Sequence, residues 1–254
     1  MKQEYLYKYR AIENLDRDLA MIANDSFFAA GITDLNDDQE CFLDGQLFVN
    51  SLQILLKKFP GNKHSVENVK MAFEEYVSCR DKVGIFSLSK NPCVGMMWAL
   101  YASMRRGYCI IYNKDALLKA PSSVYMNDRL MLEVKYSRKA PKADLRDISK
   151  GKLPQKLFGS KEAGWSTEEE VRIVTDRFGM QRLAPSALHG IIFGSEMSDK
   201  NKDKIKDTLK NRNVCFYQLQ RKKNDYGYEY VLDEKFEISS DLDVATYLSP
   251  IKTE

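Results

Sequence analysis

The segment Gly164-Trp-Ser-Thr-Glu-Glu-Glu-Val-Arg-Ile-Val174 sets three carboxylates between a tryptophan and a β-branched run. Val171, Ile173 and Val174 read as a buried strand. Side chains alternate along a strand, so only one or two of Glu168, Glu169 and Glu170 can face solvent. A carboxylate held at the strand entrance, beside Trp165 and near Arg172, gains a tuned pKa and a fixed aim. The alternative is an exposed strand end carrying an i,i+2 Glu170–Arg172 neighbour pair. His64 and His189 are the only histidines, and neither sits in a catalytic or zinc-ligand motif. His64 follows the turn sequence Pro60-Gly61-Asn62-Lys63 and reads as a loop residue, and His189 as a structural strand start. Any catalysis therefore falls to carboxylates, arginine, serine and tyrosine.

Positioning such groups needs a core, and the 254 residues supply one: 44% are hydrophobic and 30% charged. With 39 basic and 36 acidic residues the net charge is +3, which makes no global case for nucleic acid. Five scattered cysteines without a C-x-x-C pair fit reduced thiols. The opening MKQEYLYKYR is charged where a signal peptide would turn apolar, and no apolar run approaches the ~20 residues of a membrane span. A soluble, cytoplasmic protein is the expectation, with no membrane partner.

Along the chain, residues 5–10 read as a strand ending at Arg10, residues 14–23 as a helix and 26–30 as a short strand. The polar loop GITDLNDDQE follows at 31–40. Apolar spacing of i, i+3, i+4 predicts amphipathic helices at 46–59 and 65–80. Residues 83–89 form a predicted strand, 93–106 a helix stopped by Gly107, and 108–112 a strand; this unit has the length of a crossover. A strand at 130–136 precedes a basic, Pro-containing loop with a short helix at 140–158. Beyond the glutamates come a strand at 188–193, a charged helix at 198–210, and a strand pair at 214–219 and 226–232 around the turn Lys223-Asn224-Asp225. The sum is a single α+β domain over 1–254, with a mixed or mainly antiparallel sheet and flanking helices.

Several of these segments together resemble a bacterial family, domain of unknown function 2971. LYKYR, DLNDDQE, IFSLS, MMWALYASMRRGYCIIY, WSTEEEVRIV and IIFGSEM occur in that order. The family pattern is Leu-Tyr-Lys-Tyr-Arg, an Asn-Asp-Pro-Phe-Glu-like loop, Phe-Ser, Met-Trp-x-x-Tyr with a later Gly, and Trp-x-x-Glu-x-Glu-x-Arg. The resemblance covers about residues 5–197, leaving the helix and strand pair of 198–254 as an addition. Asp38 stands where the family usually has proline, so that loop is expected to be shaped differently here.

At fold level, the motif order is also similar to ADP-ribosyltransferases of the Arg–Ser–Glu type. These carry an arginine ending the first strand, a serine on a middle strand, and a Glu-x-Glu pair entering a later one. Arg10, Ser87 with Ser89, and Glu168-x-Glu170 take those places. The resemblance implies an NAD-consuming enzyme, a transferase or glycohydrolase, with a bacterial toxin or phage-defence effector as its setting. Breaking the nicotinamide–ribose bond builds positive charge on the sugar, which a carboxylate gripping the ribose stabilises. Glu170 is assigned that role, and Glu168 the positioning or activation of the acceptor. Arg10 would hold a phosphate or ribose, Ser87 and Ser89 the ribose, and Trp98 or Tyr101 the nicotinamide ring. NAD enters as substrate with no metal expected; the acceptor, protein or nucleic acid, and any inhibitor protein are left open.

Two other classes stay in play. Asp34, Asn36, Asp37, Asp38 and Glu40, with the glutamate pair and the basic run from Lys135 to Lys152, could make a metal-dependent nuclease, although the spacing is not that of an EF-hand. Alternatively, the motifs brace a non-catalytic binding module. In that reading Arg10 only anchors the first strand, Ser87 bonds backbone, and Trp98 is core.

Overall fold

The computed structural model describes residues 4–119 and 129–233. The chain opens with β1 (Tyr5–Arg10), α1 (Leu15–Ala23) and β2 (Ser26–Ala29). The helix pair α2 (Gln46–Lys58) and α3 (Lys63–Ser78) follows, then β3 (Gly84–Ser89), α4 (Gly95–Tyr101), β4 (Tyr108–Asn113) and α5 (Lys114–Leu117). The middle of the chain holds β5 (Leu130–Glu133), β6 (Lys135–Ser137), α6 (Leu145–Ser149), α7 (Leu153–Phe158) and β7 (Ser160–Glu162). Last come β8 (Glu170–Thr175), β9 (Gly179–Arg182), β10 (Leu188–Phe193), α8 (Asp199–Leu209), β11 (Cys215–Arg221) and β12 (Tyr228–Leu232).

Eight of the strands make one sheet in the order β12-β11-β10-β4-β1-β3-β8-β5. Its pairs are antiparallel except β10–β11, so the α+β reading with a mainly antiparallel sheet holds. β3 and β4 both run antiparallel to β1, which lies between them; the β3–α4–β4 unit is therefore a crossover over β1. β11 and β12 extend this same sheet, while residues 234–254 of the expected C-terminal addition lie outside the described residues.

Alternation along β1 divides the core. Leu6 packs with Phe86, Ile110 and the apolar faces of α1 and α8, whereas Tyr7 and Tyr9 pack with Trp98, Ile111 and Ile192. A third cluster lies where α2 and α3 meet, with Phe48 and Phe73 stacked at 3.9 Å between ring centres. Among the described residues, no helix is long and apolar enough to cross a membrane.

The differences from expectation have physical reasons. The helix expected over 93–106 stops at Tyr101, and Ser103, Met104 and Arg105 take left-handed φ of 47°, 54° and 68°. A local and a tertiary bond hold that turn: the Arg105 amide donates to Trp98 O at 3.1 Å, and Arg105 O accepts from the distant Glu196 amide at 3.0 Å. These outweigh the helix propensity of Met-Arg-Arg. Gly107 marks a close approach rather than a helix stop, since a Cβ there would lie 2.2 Å from Arg10 O. The strand expected at 130–136 breaks after Glu133, because the Val134 amide donates to Glu170 O at 2.9 Å while β6 pairs with β7. The Pro60–Asn62 turn runs directly into α3, which puts His64 on a helix instead of in a loop.

Candidate functional site

β1 has two unlike edges. Along β4 it keeps six register pairs, from Tyr5↔Asn113 to Arg10↔Tyr108, but β3 meets it at one, Tyr7↔Ser89. Beyond that pair the strands part, and Lys8 Nζ reaches across to donate to Ser87 O at 2.7 Å. A cavity of about 290 Å³ opens at this split. Arg10, Ser87, Ser89, Tyr101, Glu168 and Glu170 all line it, together with Lys8 and Lys161.

Trp98 is not among the lining residues. Its ring is fully buried, its Nε1 donates to Pro92 O at 2.7 Å, and it meets Tyr9 edge-on. Its assignment as a nicotinamide platform is thus corrected to core packing, because a helix of seven residues buries its larger ring against the sheet. Tyr101, the other ring considered, stays at the cavity. Ser89 lines the wall with its hydroxyl committed to Asn91, donating to its O and accepting from its amide, both at 3.1 Å. Ser87 turns its hydroxyl to Glu170.

The glutamates enter the wall differently from an ordinary strand start. Ala163–Glu168 is a 3₁₀ turn, and Glu169 then takes φ 45° before β8 begins. The kink turns Glu169 out to Asn91 Nδ2, which it accepts at 3.1 Å, and leaves Glu168 and Glu170 buried. The exposed-strand-end alternative is thereby corrected: β8 is buried at every position.

Behind the wall lies an ion cluster. Arg172, fully buried, donates from Nε to Glu170 Oε1 at 2.8 Å and from Nη2 to Glu170 Oε2 at 2.9 Å. The same Nη2 reaches Glu40, and Nη1 satisfies Phe158 O at 2.9 Å. Lys161 Nζ lies 2.6 Å from Glu168, 2.9 Å from Glu40 and 3.4 Å from Glu170, and 5.0 Å from the centre of the Trp165 ring. Burial pushes the Glu170 carboxyl up, but Arg172, then Lys161 and the Ser87 hydroxyl, more than reverse this and hold it at about 2. Burial dominates at Glu40, whose pKa is raised despite the same two cations. Three carboxylates against Lys161 and Arg172 leave this end of the cavity with one formal negative charge when all are ionised. Tyr101 OH donates to Glu168 Oε1 at 2.7 Å and accepts from Asn36 Nδ2 at 2.7 Å, tying the loop of residues 31–40 to the wall.

The opposite end is basic. Arg10 is gripped at both ends by Asp18, with Nε 2.6 Å from Oδ2 and Nη2 on Oδ1. This leaves Nη1 for a ligand. Burial works against the Arg10 charge and Asp18 more than restores it, so its pKa is raised. Tyr108 OH also donates to Asp18, at 3.0 Å, which fixes the carboxylate that aims the guanidinium. Lys8 sits between the two ends; burial, then the nearby Arg10 charge, lowers it to about 8.

Lys8, Lys161 and Asp18 carry no catalytic or binding motif in the sequence, and Glu40 enters there only as a metal-ligand candidate of the acidic loop. Lys8 alone left a signal, a charge at alternate positions with Leu6 and Arg10 on a face that otherwise enters the core. Of the acidic loop, Asp34 and Asn36 reach the cavity, Asp37 caps the Gln39 amide at 3.0 Å, and Glu40 turns inward. Among the described residues, no group of three His, Cys, Asp or Glu side chains is arranged to hold a metal ion. His189 packs its ring 4.3 Å from Tyr5, and burial lowers its pKa.

No curated protein and no solved structure matches the chain. The opening LYKYR and the later IIFGSEM fall outside the segment that a family model matches. That segment supplies Tyr101, Lys161, Glu168 and Glu170 to the cavity: over residues 97–173 the chain matches the family the motif order pointed to, DUF2971, described as a protein of unknown function.

Proposed function

We propose that the protein consumes NAD, breaking the nicotinamide–ribose bond and passing the ADP-ribosyl group to an acceptor or to water. The observation that carries this reading is the lining of one cavity, at the split between β1 and β3, by Arg10, Ser87, Glu168 and Glu170. A cavity that is basic at one end and carboxylate-rich at the other suits a ligand with a phosphate near a centre that becomes cationic. In this reading Arg10 holds the phosphate and Tyr101 borders the nicotinamide.

Glu170 stays ionised across the physiological range, and Arg172 fixes its direction. It faces the ribose as the C1′–N bond breaks; nicotinamide leaves with the bonding electrons as a neutral base, and positive charge spreads over C1′ and the ring oxygen. The acceptor's lone pair then bonds to C1′, and its proton passes to Glu168. Lys161 and Tyr101 hold one oxygen each of that carboxylate, which orients it. The three glutamates already share Lys161 and Arg172, so a divalent ion there would compete with two buried cations. That favours sugar chemistry over the nuclease reading.

The test follows nicotinamide released from NAD, with cell lysate as acceptor, by wild type and Glu170→Gln. The variant is expected to lose at least about 100-fold in rate, the scale of one removed transition-state charge partner. No release by folded wild-type protein would return the site to the binding-module reading.

A further inference from the structure

Two further spaces adjoin the cavity at the split. A narrow void of about 30 Å³ shares Lys8, Arg10 and Phe28 with it. This void also shares Met21, Ser26 and Phe28 with a third cavity, of about 580 Å³, between α1 and the ribbon that β2 forms with β9. Arg17, 62% exposed, lines both large cavities at their junction. The three spaces lie side by side along shared walls, with carboxylates at the first end, cations in the middle and apolar side chains at the far end.

That far end is unlike ordinary surface. Phe28 and Met180 sit opposite each other on β2 and β9 in direct register, 47% and 55% exposed, beside the partly buried Met21. Arg182, which donates to Asn24 O at 3.0 Å, borders them. An aromatic ring, a flexible thioether and a guanidinium edge present flat, polarizable surface of the kind that stacks on a nucleobase. The first cavity alone falls at the lower limit of the roughly 300–1,000 Å³ that encloses a drug-sized ligand. A dinucleotide would need the space beyond Arg10.

We infer that the groove between α1 and the β2–β9 ribbon is a nucleoside subsite, which takes the adenosine half of a dinucleotide whose pyrophosphate lies across Arg10 and Arg17. The inference rests on the NAD reading for the first cavity and extends it to the half of the substrate that does not react. Binding energy from this remote half would serve to hold the reacting ribose against Glu170.

ADP and inorganic pyrophosphate are titrated by calorimetry into the full chain and into Met180→Glu and Met180→Ala, each checked by circular dichroism. Met180 lines only the far cavity among those described, so both variants leave the first wall intact. ADP is expected to bind more tightly than pyrophosphate, and Met180→Glu to weaken ADP at least about 10-fold. Met180→Ala should weaken ADP less, with pyrophosphate unchanged within about 2-fold in that variant. Equal affinities for ADP and pyrophosphate, or an ADP affinity indifferent to both substitutions, would overturn the subsite. Nicotinamide release from NAD and from nicotinamide mononucleotide separates the two claims. ADP binding that depends on Met180, with no release from either substrate, would sink the NAD reaction and keep the nucleoside site. Equal release from both substrates, with no ADP preference, would do the reverse.

Discussion

The two edges of β1 differ although one six-residue strand provides both. Against β4 the ladder runs its full length and closes over Ile110, Ile111 and Tyr112; against β3 it holds at Tyr7↔Ser89 and then opens. The closed edge is apolar and needs no side-chain help. The open edge is bridged by Lys8 on Ser87 O, and the charges that would be costly elsewhere in a sheet gather around it. A continuous ladder leaves no room for a ligand, and a break in one lets ionisable groups on several strands face a common space.

The cluster behind the open edge is the first place to break this contrast. Arg172→Met leaves Glu40 and Glu170 facing each other with only Lys161 between them. Urea unfolding should show a loss of about 3–5 kcal/mol at neutral pH. In the wild type, the lowered Glu170 carboxyl contributes stability that is present above its ordinary value of 4.5 and is lost as pH falls toward about 2. A near-neutral Arg172→Met would mean that the cluster is solvated rather than buried.

The closed edge is probed at Gly107, where an added Cβ would meet Arg10 O at 2.2 Å and the Ala102 backbone at 3.0 Å. Gly107→Ala should cost about 1–3 kcal/mol by the same measurement, through crowding at the end of the ladder. An unchanged midpoint would show that the strand end is loose on this edge as well.

The open edge itself is probed at Lys8, which it keeps partly desolvated. Its pKa is lowered from 10.5 to about 8, by burial first and then by Arg10, with Glu170, Asp18 and Glu168 acting in the other direction. Below pH 8 the lysine is protonated in folded and unfolded chains alike. Between about 8 and 10.5 only the unfolded chain keeps the proton, so raising the pH favours the folded state. The stability of wild type relative to Lys8→Met should therefore rise across that interval, and a flat difference would place Lys8 in open solvent.

Much of the frame was legible from periodicity. The run of alternating Tyr and charge in β1, the apolar Tyr108–Tyr112 segment and the 3.6-residue spacing of α2 each gave their element to within a residue or two. The order Arg10, Ser87, Glu170 singled out side chains that line one cavity, because alternation along β3 and β8 is a local property. The partners of those residues were not legible. Lys161 sits on a three-residue strand without a motif, and Glu40 ends a loop whose composition suggested solvent. Both owe their places to contacts between segments far apart in the chain, and a single sequence carries no local trace of such contacts. The early end of α4 has the same origin: Met104, Arg105 and Arg106 have helix-forming side chains, but the backbone of Arg105 and Gly107 is held by Glu196 and Gly194.

The most direct test of the split as the binding site is hydrogen–deuterium exchange of the Glu170→Gln protein with and without NAD, since loss of turnover preserves the bound substrate. Added NAD should slow exchange at residues 5–10, 84–89 and 168–170, flanking the opening between β1 and β3, and leave β11 and β12 unchanged. Unaltered exchange at those three segments, or slowing confined to other parts of the sheet, would contradict the assignment of the split between β1 and β3 as the site.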